Sequence, residues 1–327
     1  MTDSPGARAW LRRARDVLTL GDRRVLIDPS RLVVSFARFV ARRAAHEEGP
    51  KAELPARDPA VVALIADGVL GIAKSYFRLQ TLGVDNVPAS GPALLVGNHS
   101  GGLVVTEGFF TGLAIHDKYG PNRALYALAH DFVFEDRQVR EFFSRVGLLR
   151  AGHEHARAAL DAGHLAIVYP GSDLDTFRPF TDRNKIVLGG RRGFIKLALR
   201  AQVPIIPVVT IGTHEQLIVL ARGERLARLL RMHVWARANA FPIVLSLPWG
   251  LTTGLLPYFP LPAQVTQVFG APMRWPELRS EAADDPDAVS RCYADVLSTM
   301  QRMLDELAKG RRFLLGKPRA GRDHVGA

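Results

Sequence analysis

LLVGNHSGGLVVTEG, residues 94–108, changes character at its midpoint. An apolar run ends at Asn98, His99 follows, Gly101 and Gly102 loosen the backbone, and the next acid is Glu107, eight positions beyond the histidine. The run is short, and the turn-like LGVDNVPASGP precedes it, so Ala93 to Val96 reads as a buried strand feeding a glycine loop. LAIVYPG, ending at Gly171, and VPIIPVVTI, ending at Ile211, are likewise short, apolar and β-branched. Helical patterns fall around 60–78, 136–146, 153–163 and 191–202, so strands and helices alternate. The expected fold class is α/β, a single mixed β-sheet flanked by helices. Sites in such folds gather in loops that follow strand ends, where His99 and the stretch from Tyr169 to Phe180 both lie.

The chain of 327 residues is 47% hydrophobic, enough to bury a full core. One cysteine, Cys292, excludes an intramolecular disulfide and any cysteine-cluster metal site. A formal charge of +11 and a pI of about 10.3 call for a polyanionic neighbour, either nucleic acid or an anionic membrane surface. Neither a zinc-finger spacing nor basic residues interleaved with stacking aromatics is present, so no nucleic acid is expected as a partner and the membrane reading leads.

Two segments carry that reading. In LVVSFARFVARRAAH, residues 32–46, Leu32, Val33, Phe36, Phe39 and Val40 recur at helical spacing against Arg38, Arg42 and Arg43, as in an interfacial helix or in a surface helix packed on a domain. From Ala238 to Met273 there are thirty-six residues without Asp, Glu, Lys, Arg or His. Pro242, Pro248, Pro257, Pro260 and Pro262 rule out a transmembrane helix there. Arg222, Arg225, Arg228, Arg231 and Arg237 lie before it among leucines, with Trp235 and Trp249 suited to a headgroup layer. The organisation expected is a basic amphipathic N-terminal arm over 1–55, closed by the proline-containing break at 47–60. A main domain over 56–310 follows, with an apolar membrane-docking segment at about 222–273, and a basic tail over 311–327. The arginines of RAWLRRARDVL near the N-terminus do not suit a secretory signal, so the expected location is the cytoplasmic face of a membrane, as a peripheral or monotopic protein.

A histidine on a glycine loop at a strand end suits a general base, since its pKa of about 6.5 matches neutral pH. It needs a carboxylate to fix its tautomer and stabilise the imidazolium. Glu107 is the nearest acid along the chain, with Asp131, Asp173 and Asp175 as competitors. A serine hydrolase fits poorly, because Ser100 directly follows His99 and no G-x-S-x-G elbow exists. His153 and His155, two apart on a helix, point to different sides, which argues against a metal site with His164.

YFRLQTLGVDNVPASGPALLVGNHSGG, VGLLRAG, YPGSDLDTFRPF and VPIIPVV stand in this order between Tyr76 and Glu215. In sequence and order they resemble the four blocks of the glycerophospholipid acyltransferase superfamily, which contains the bacterial lysophosphatidate acyltransferases. The usual pattern puts Asp five residues after the histidine, and Val104 stands there. The looser spacing to Glu107 is similar to the branch with transmembrane-protein-68-like and diacylglycerol-acyltransferase-related sequences. In the third block the usual Pro-Glu-Gly-Thr-Arg is replaced by Pro170, Gly171, Ser172, Asp173 and Leu174, so the family's phosphate-binding arginine is missing from its place. Substrate contacts are then expected from Pro170, the backbone at Gly171 and Ser172, and charge from Arg150, Arg178, Lys185, Arg191 or Arg192.

The resemblance implies direct acyl transfer from an acyl-CoA or acyl carrier protein thioester to a glycerolipid hydroxyl, with His99 as base, no covalent acyl-enzyme, and neither metal nor redox cofactor. The first acceptor expected is 1-acylglycerol-3-phosphate, with diacylglycerol or another neutral lipid as the alternative. A non-catalytic lipid-binding or membrane-tethering relative is the reading from another class, supported by Val104 in the usual place of the acid.

Overall fold

The computed structural model describes residues 30–44, 54–102, 105–235, 239–254, 256 and 258–317. In chain order these form α1 (Ser30–Ala44), α2 (Pro59–Ser75), β1 (Gln80–Leu82), β2 (Ala93–Gly97), α3 (Thr106–Tyr119), β3 (Leu125–Ala129), α4 (Arg137–Arg145) and β4 (Leu148–Arg150). Then come α5 (His153–Asp161), β5 (Leu165–Val168), α6 (Ser172–Thr176), α7 (Gly193–Ala201), β6 (Ile205–Ile211), β7 (Ile218–Ala221), α8 (Glu224–Leu229) and α9 (Met232–Trp235). The last elements are β8 (Ile243–Ser246), β9 (Gly250–Thr253), β10 (Thr266–Phe269) and α10 (Pro286–Ala308).

Seven strands form one mixed sheet in the order β1-β10-β6-β2-β5-β3-β4. From β6 to β4 all neighbours are parallel, while β10 runs antiparallel to β6 and parallel to β1. Every residue of β2, β5 and β6 is buried, as expected of strands covered on both faces. Alternation along β2 sends Leu94 and Val96 to the face covered by α5, α7 and α10, and Ala93 and Leu95 to the face covered by α3. Cys292 of α10 lies in the first of these cores, where burial pushes its thiol up to about 11. The long helices start on clear signals: Asp58 caps α2 through the amides of Ala60 and Val61, Asp285 caps α10 through that of Asp287, and a proline occupies the first turn of each.

The expectation of a single sheet is corrected by a second one. β7, β8 and β9 make a separate antiparallel sheet of three strands. The uncharged stretch 238–273 is therefore divided: 243–253 builds most of the small sheet, whereas Ala263, Val265 and β10 are buried in the main one. No helix among the described residues is long and apolar enough to cross a membrane.

Of the expected N-terminal arm, α1 packs on the domain, with Arg31 and Arg38 on Asp136, Arg42 on Glu135, and the Ser35 hydroxyl donating to the Phe132 carbonyl at 2.5 Å. The remainder up to residue 53, like Val104, Arg237 and 318–327, lies outside the described residues. Arg311, assigned by sequence to the tail, is instead buried in the domain against Glu215 at 2.7 Å, and Glu215 also accepts the Leu314 amide at 2.6 Å.

Candidate active site

β2 lies between β6 and β5 in the parallel set, so the loop leaving its C-terminal end meets the loops that leave β5 and β6. Asn98 fixes the exit. Its side chain donates to the Thr210 carbonyl at 2.9 Å and accepts the Thr210 amide at 2.7 Å, continuing the pairing with β6 past the strand end. His99 comes next, and its amide donates to Asp175 Oδ2 at 2.5 Å. Gly101 and Gly102 adopt φ of 85° and 77°. A Cβ on Gly102 would lie 2.5 Å from Leu217 Cδ2 and 2.8 Å from the Tyr258 hydroxyl, so both the left-handed backbone and the close approach require glycine. The Tyr258 hydroxyl donates to the Gly101 carbonyl, and the Ser100 and Thr213 hydroxyls are in contact.

Glu107 returns to this loop from the first turn of α3, where the helix dipole favours a carboxylate. Its side chain is fully buried, and Oε1 meets both His99 Nδ1 and the Ser100 amide, the latter at 2.9 Å. Thr106 beside it is tied to Gln216, and Gln267 donates to the Glu107 carbonyl at 3.2 Å. A proton on Nδ1 directed at Glu107 leaves Nε2 with its lone pair, the arrangement a base requires. Burial disfavours the imidazolium, but the charge and hydrogen bond of Glu107 outweigh it, and the His99 pKa is raised above its ordinary value of 6.5. The Tyr169 ring stands 5.2 Å from the imidazole, and Gly97 lacks a side chain where a Cβ would strike that ring at 2.4 Å.

The competing acids are placed elsewhere. Asp131 lies 3.7 Å from Arg150, at the β3–β4 edge of the sheet. Asp173 receives Arg191 at 3.1 Å and the Asn239 amide at 2.7 Å. Asp175 reaches His99, but at its backbone amide and not its ring.

The residues expected to bind substrate do not converge. Arg178 is buried and paired with Asp175, and it also donates to the carbonyls of His99, Asp182 and Arg183. Burial pushes the Asp175 carboxyl up and the Arg178 guanidinium down, each partner opposing the shift of the other. Arg178 is thus a brace of the His99 loop, not an open ligand. Arg191 holds the carbonyls of Pro170 and Gly171 at 2.9 and 3.1 Å, and the Ser172 amide is taken by the Tyr169 carbonyl at 3.1 Å. Arg150 ends β4 against Phe134 and the acids Asp131 and Glu135. Lys185 is exposed beside Asp182, and Arg192 bonds Ser290 and lies over Tyr293. The histidines also separate. His153 lies against Gly193, His155 is buried near Glu154 and His164 stands beside Tyr126. No group of three or more His, Cys, Asp or Glu among the described residues is placed to hold a metal.

Sequence reasoning missed Asn98, Tyr169, Thr213, Gln216, Tyr258 and Gln267. Asn98 and Tyr169 had a signal, since each directly follows a strand end, whereas the others meet the loop only through tertiary contact.

The chain is similar to several known proteins. An uncharacterized protein of Mycobacterium tuberculosis is 34% identical over 239 residues, which cover 73% of this chain and 64% of that protein. The DGAT1/2-independent enzyme synthesizing storage lipids of Gallus gallus is 30% identical over 180 residues, 55% of this chain and 50% of that enzyme. The chain thus spans between half and two thirds of the length of these relatives. Among solved structures, the 1-acyl-sn-glycerophosphate acyltransferase PlsC of Thermotoga maritima superposes with a TM-score of 0.46 at 14% identity, over 85% of this chain and 96% of that one. The family model for diacylglycerol acyltransferase matches residues 67–307, which include both His99 and Glu107 and nearly three quarters of the sequence. The chain belongs to the diacylglycerol acyltransferase family.

Proposed function

We propose that the protein transfers a fatty acyl chain from an acyl-CoA or acyl carrier protein thioester to a glycerolipid hydroxyl, with His99 as general base. The observation that carries this is the buried contact between Glu107 Oε1 and His99 Nδ1, made by an acid eight residues away on a separate helix. His99 Nε2 takes the proton of the acceptor hydroxyl as its oxygen attacks the thioester carbonyl. The tetrahedral intermediate then expels the thiolate, which recovers that proton from the imidazolium, giving ester and free thiol. Glu107 stabilises the imidazolium between the two steps, and such proton transfer contributes roughly 10²–10⁴ in rate. Holding acceptor and thioester together supplies much of the remainder.

The two candidate acceptors ask different things of the arginines. A phosphate, as in 1-acylglycerol-3-phosphate, fits the overall charge of +11. A neutral acceptor such as diacylglycerol is a second reading favoured by one observation, that Arg178 of the third block and Arg191 beyond it already hold Asp175 and Asp173. The test is transfer from labelled acyl-CoA to a panel of both acceptor types by wild type, His99→Ala and Glu107→Gln. Loss of transfer in His99→Ala is expected, equal activity in all three would refute the base assignment, and inactivity of wild type towards every acceptor would favour a lipid-binding relative.

A further inference from the structure

The small sheet is apolar on the wrong side. Its inner face carries Val219, Val244 and Ser246, all buried near Leu217 and Tyr258. On the outer face, register aligns Ile218, Leu245 and Leu251 in one cross-strand row and sets Ala221, Ile243 and Thr253 in the next. Leu245 and Ile243 are exposed, and Leu251 is 69% exposed. Leu220 at the β7 bulge, Leu247, Trp249 and Phe259, itself 69% exposed and bridged to Leu247, extend the same surface. An antiparallel sheet with one face in water places polar residues there, but here the only polar side chain of β8, Ser246, points inward. Contiguous apolar surface of this kind marks a site of contact.

The flank identifies the partner. α8 and the residues beside it present Arg225, Arg228 and Arg231 to the outside together with Leu226, Leu230 and Leu229, the last 79% exposed. Between Ile218 and Leu256 the sequence holds five arginines and one acid, Glu224. A second copy of the chain seated on this face would bring the same patch, and hence the same arginines, against itself. An anionic surface meets both features at once, with leucines in the upper acyl layer, the Trp249 indole among headgroups and guanidinium groups on lipid phosphates.

We propose that the outer face of β7–β9, with the arginines of α8, docks on the surface of an anionic phospholipid bilayer. The proposal rests on acyl transfer only in taking lipid as the natural partner, and its test uses neither donor nor acceptor. The full chain is floated with vesicles of phosphatidylcholine alone or of phosphatidylcholine with phosphatidylglycerol, at low and high salt. Wild type is expected to float with the phosphatidylglycerol vesicles and to lose binding as salt rises. Leu251→Glu and Leu229→Glu, each at a well-exposed position that tolerates charge in the fold, should each weaken partition by roughly tenfold. Arg225→Glu with Arg228→Glu should abolish the preference for phosphatidylglycerol. Thermal melting and circular dichroism report whether the variants are folded, so a failure of docking and a failure of the acyl-transfer reading remain distinct. The proposal is overturned if wild type does not bind the anionic vesicles or if the folded leucine variants bind as well as wild type. It is equally overturned if these variants only convert a dimer to monomers, which would make the face a contact between copies.

Discussion

Glu107 holds the imidazole by charge as well as by geometry, and the two effects are separable. Glu107→Gln keeps an oxygen to accept the Nδ1 proton but removes the charge that raises the His99 pKa. Catalysis by a neutral His99 base would increase as pH rises through that pKa, so the acid limb of kcat/KM for wild type is expected above the ordinary 6.5. In the variant the Glu107 charge no longer opposes burial, and the limb should move to lower pH while kcat falls by roughly 10² or more. A pH profile of both enzymes checks the direction. Asp175 and Arg178 hold the amide and the carbonyl of His99. Arg178→Met leaves a buried carboxylate without its partner and should cost about 3–5 kcal/mol in urea unfolding, part of which Asp175→Asn in the same chain restores. Residue type and spacing in the sequence pointed to His99 and to Glu107 as its nearest acid, two side chains that the fold brings into contact. They could not tell a guanidinium that waits for substrate from one that grips a neighbouring carboxylate, because that depends on what α6 folds against.

Among the elements, the strands that carry the site were legible because each is buried on both faces and therefore apolar throughout. β10 was hidden for the opposite reason. Gln264, Thr266 and Gln267 are buried there by hydrogen bonds to one another's surroundings, with Gln267 reaching Thr111 and Thr210, and such a pattern has no hydrophobic period. β8 was lost in the uncharged run because its solvent side, Ile243 and Leu245, is apolar, which erases the alternation that marks an antiparallel strand. The glycine loop offers a test of how firmly these elements define the site. Gly102→Ala must place a Cβ at positive φ against Leu217 and Tyr258 and should cost about 1–3 kcal/mol in thermal unfolding, with a larger loss of kcat than of substrate binding.

For the whole molecule, the boundary drawn at residue 310 by charge cuts through a buried network. Arg311 holds Glu215 and Gln264, and Glu215 directly follows the β6 loop that packs on Ser100. Deleting the chain from residue 311 should therefore lower the melting temperature sharply, as an unpaired buried carboxylate costs about 3–5 kcal/mol, whereas deletion from residue 318 leaves these contacts intact. The dyad itself shows a similar independence of parts. His99 is anchored from the strand side through Asn98 and Asp175, and Glu107 from the helix side through Thr106 and Gln267. All four anchoring residues lie outside positions 103 and 104 of the sequence. A glycine inserted after residue 103 should accordingly be tolerated in the acyl-transfer assay, which would free the number of residues separating histidine and acid from the demands of the chemistry.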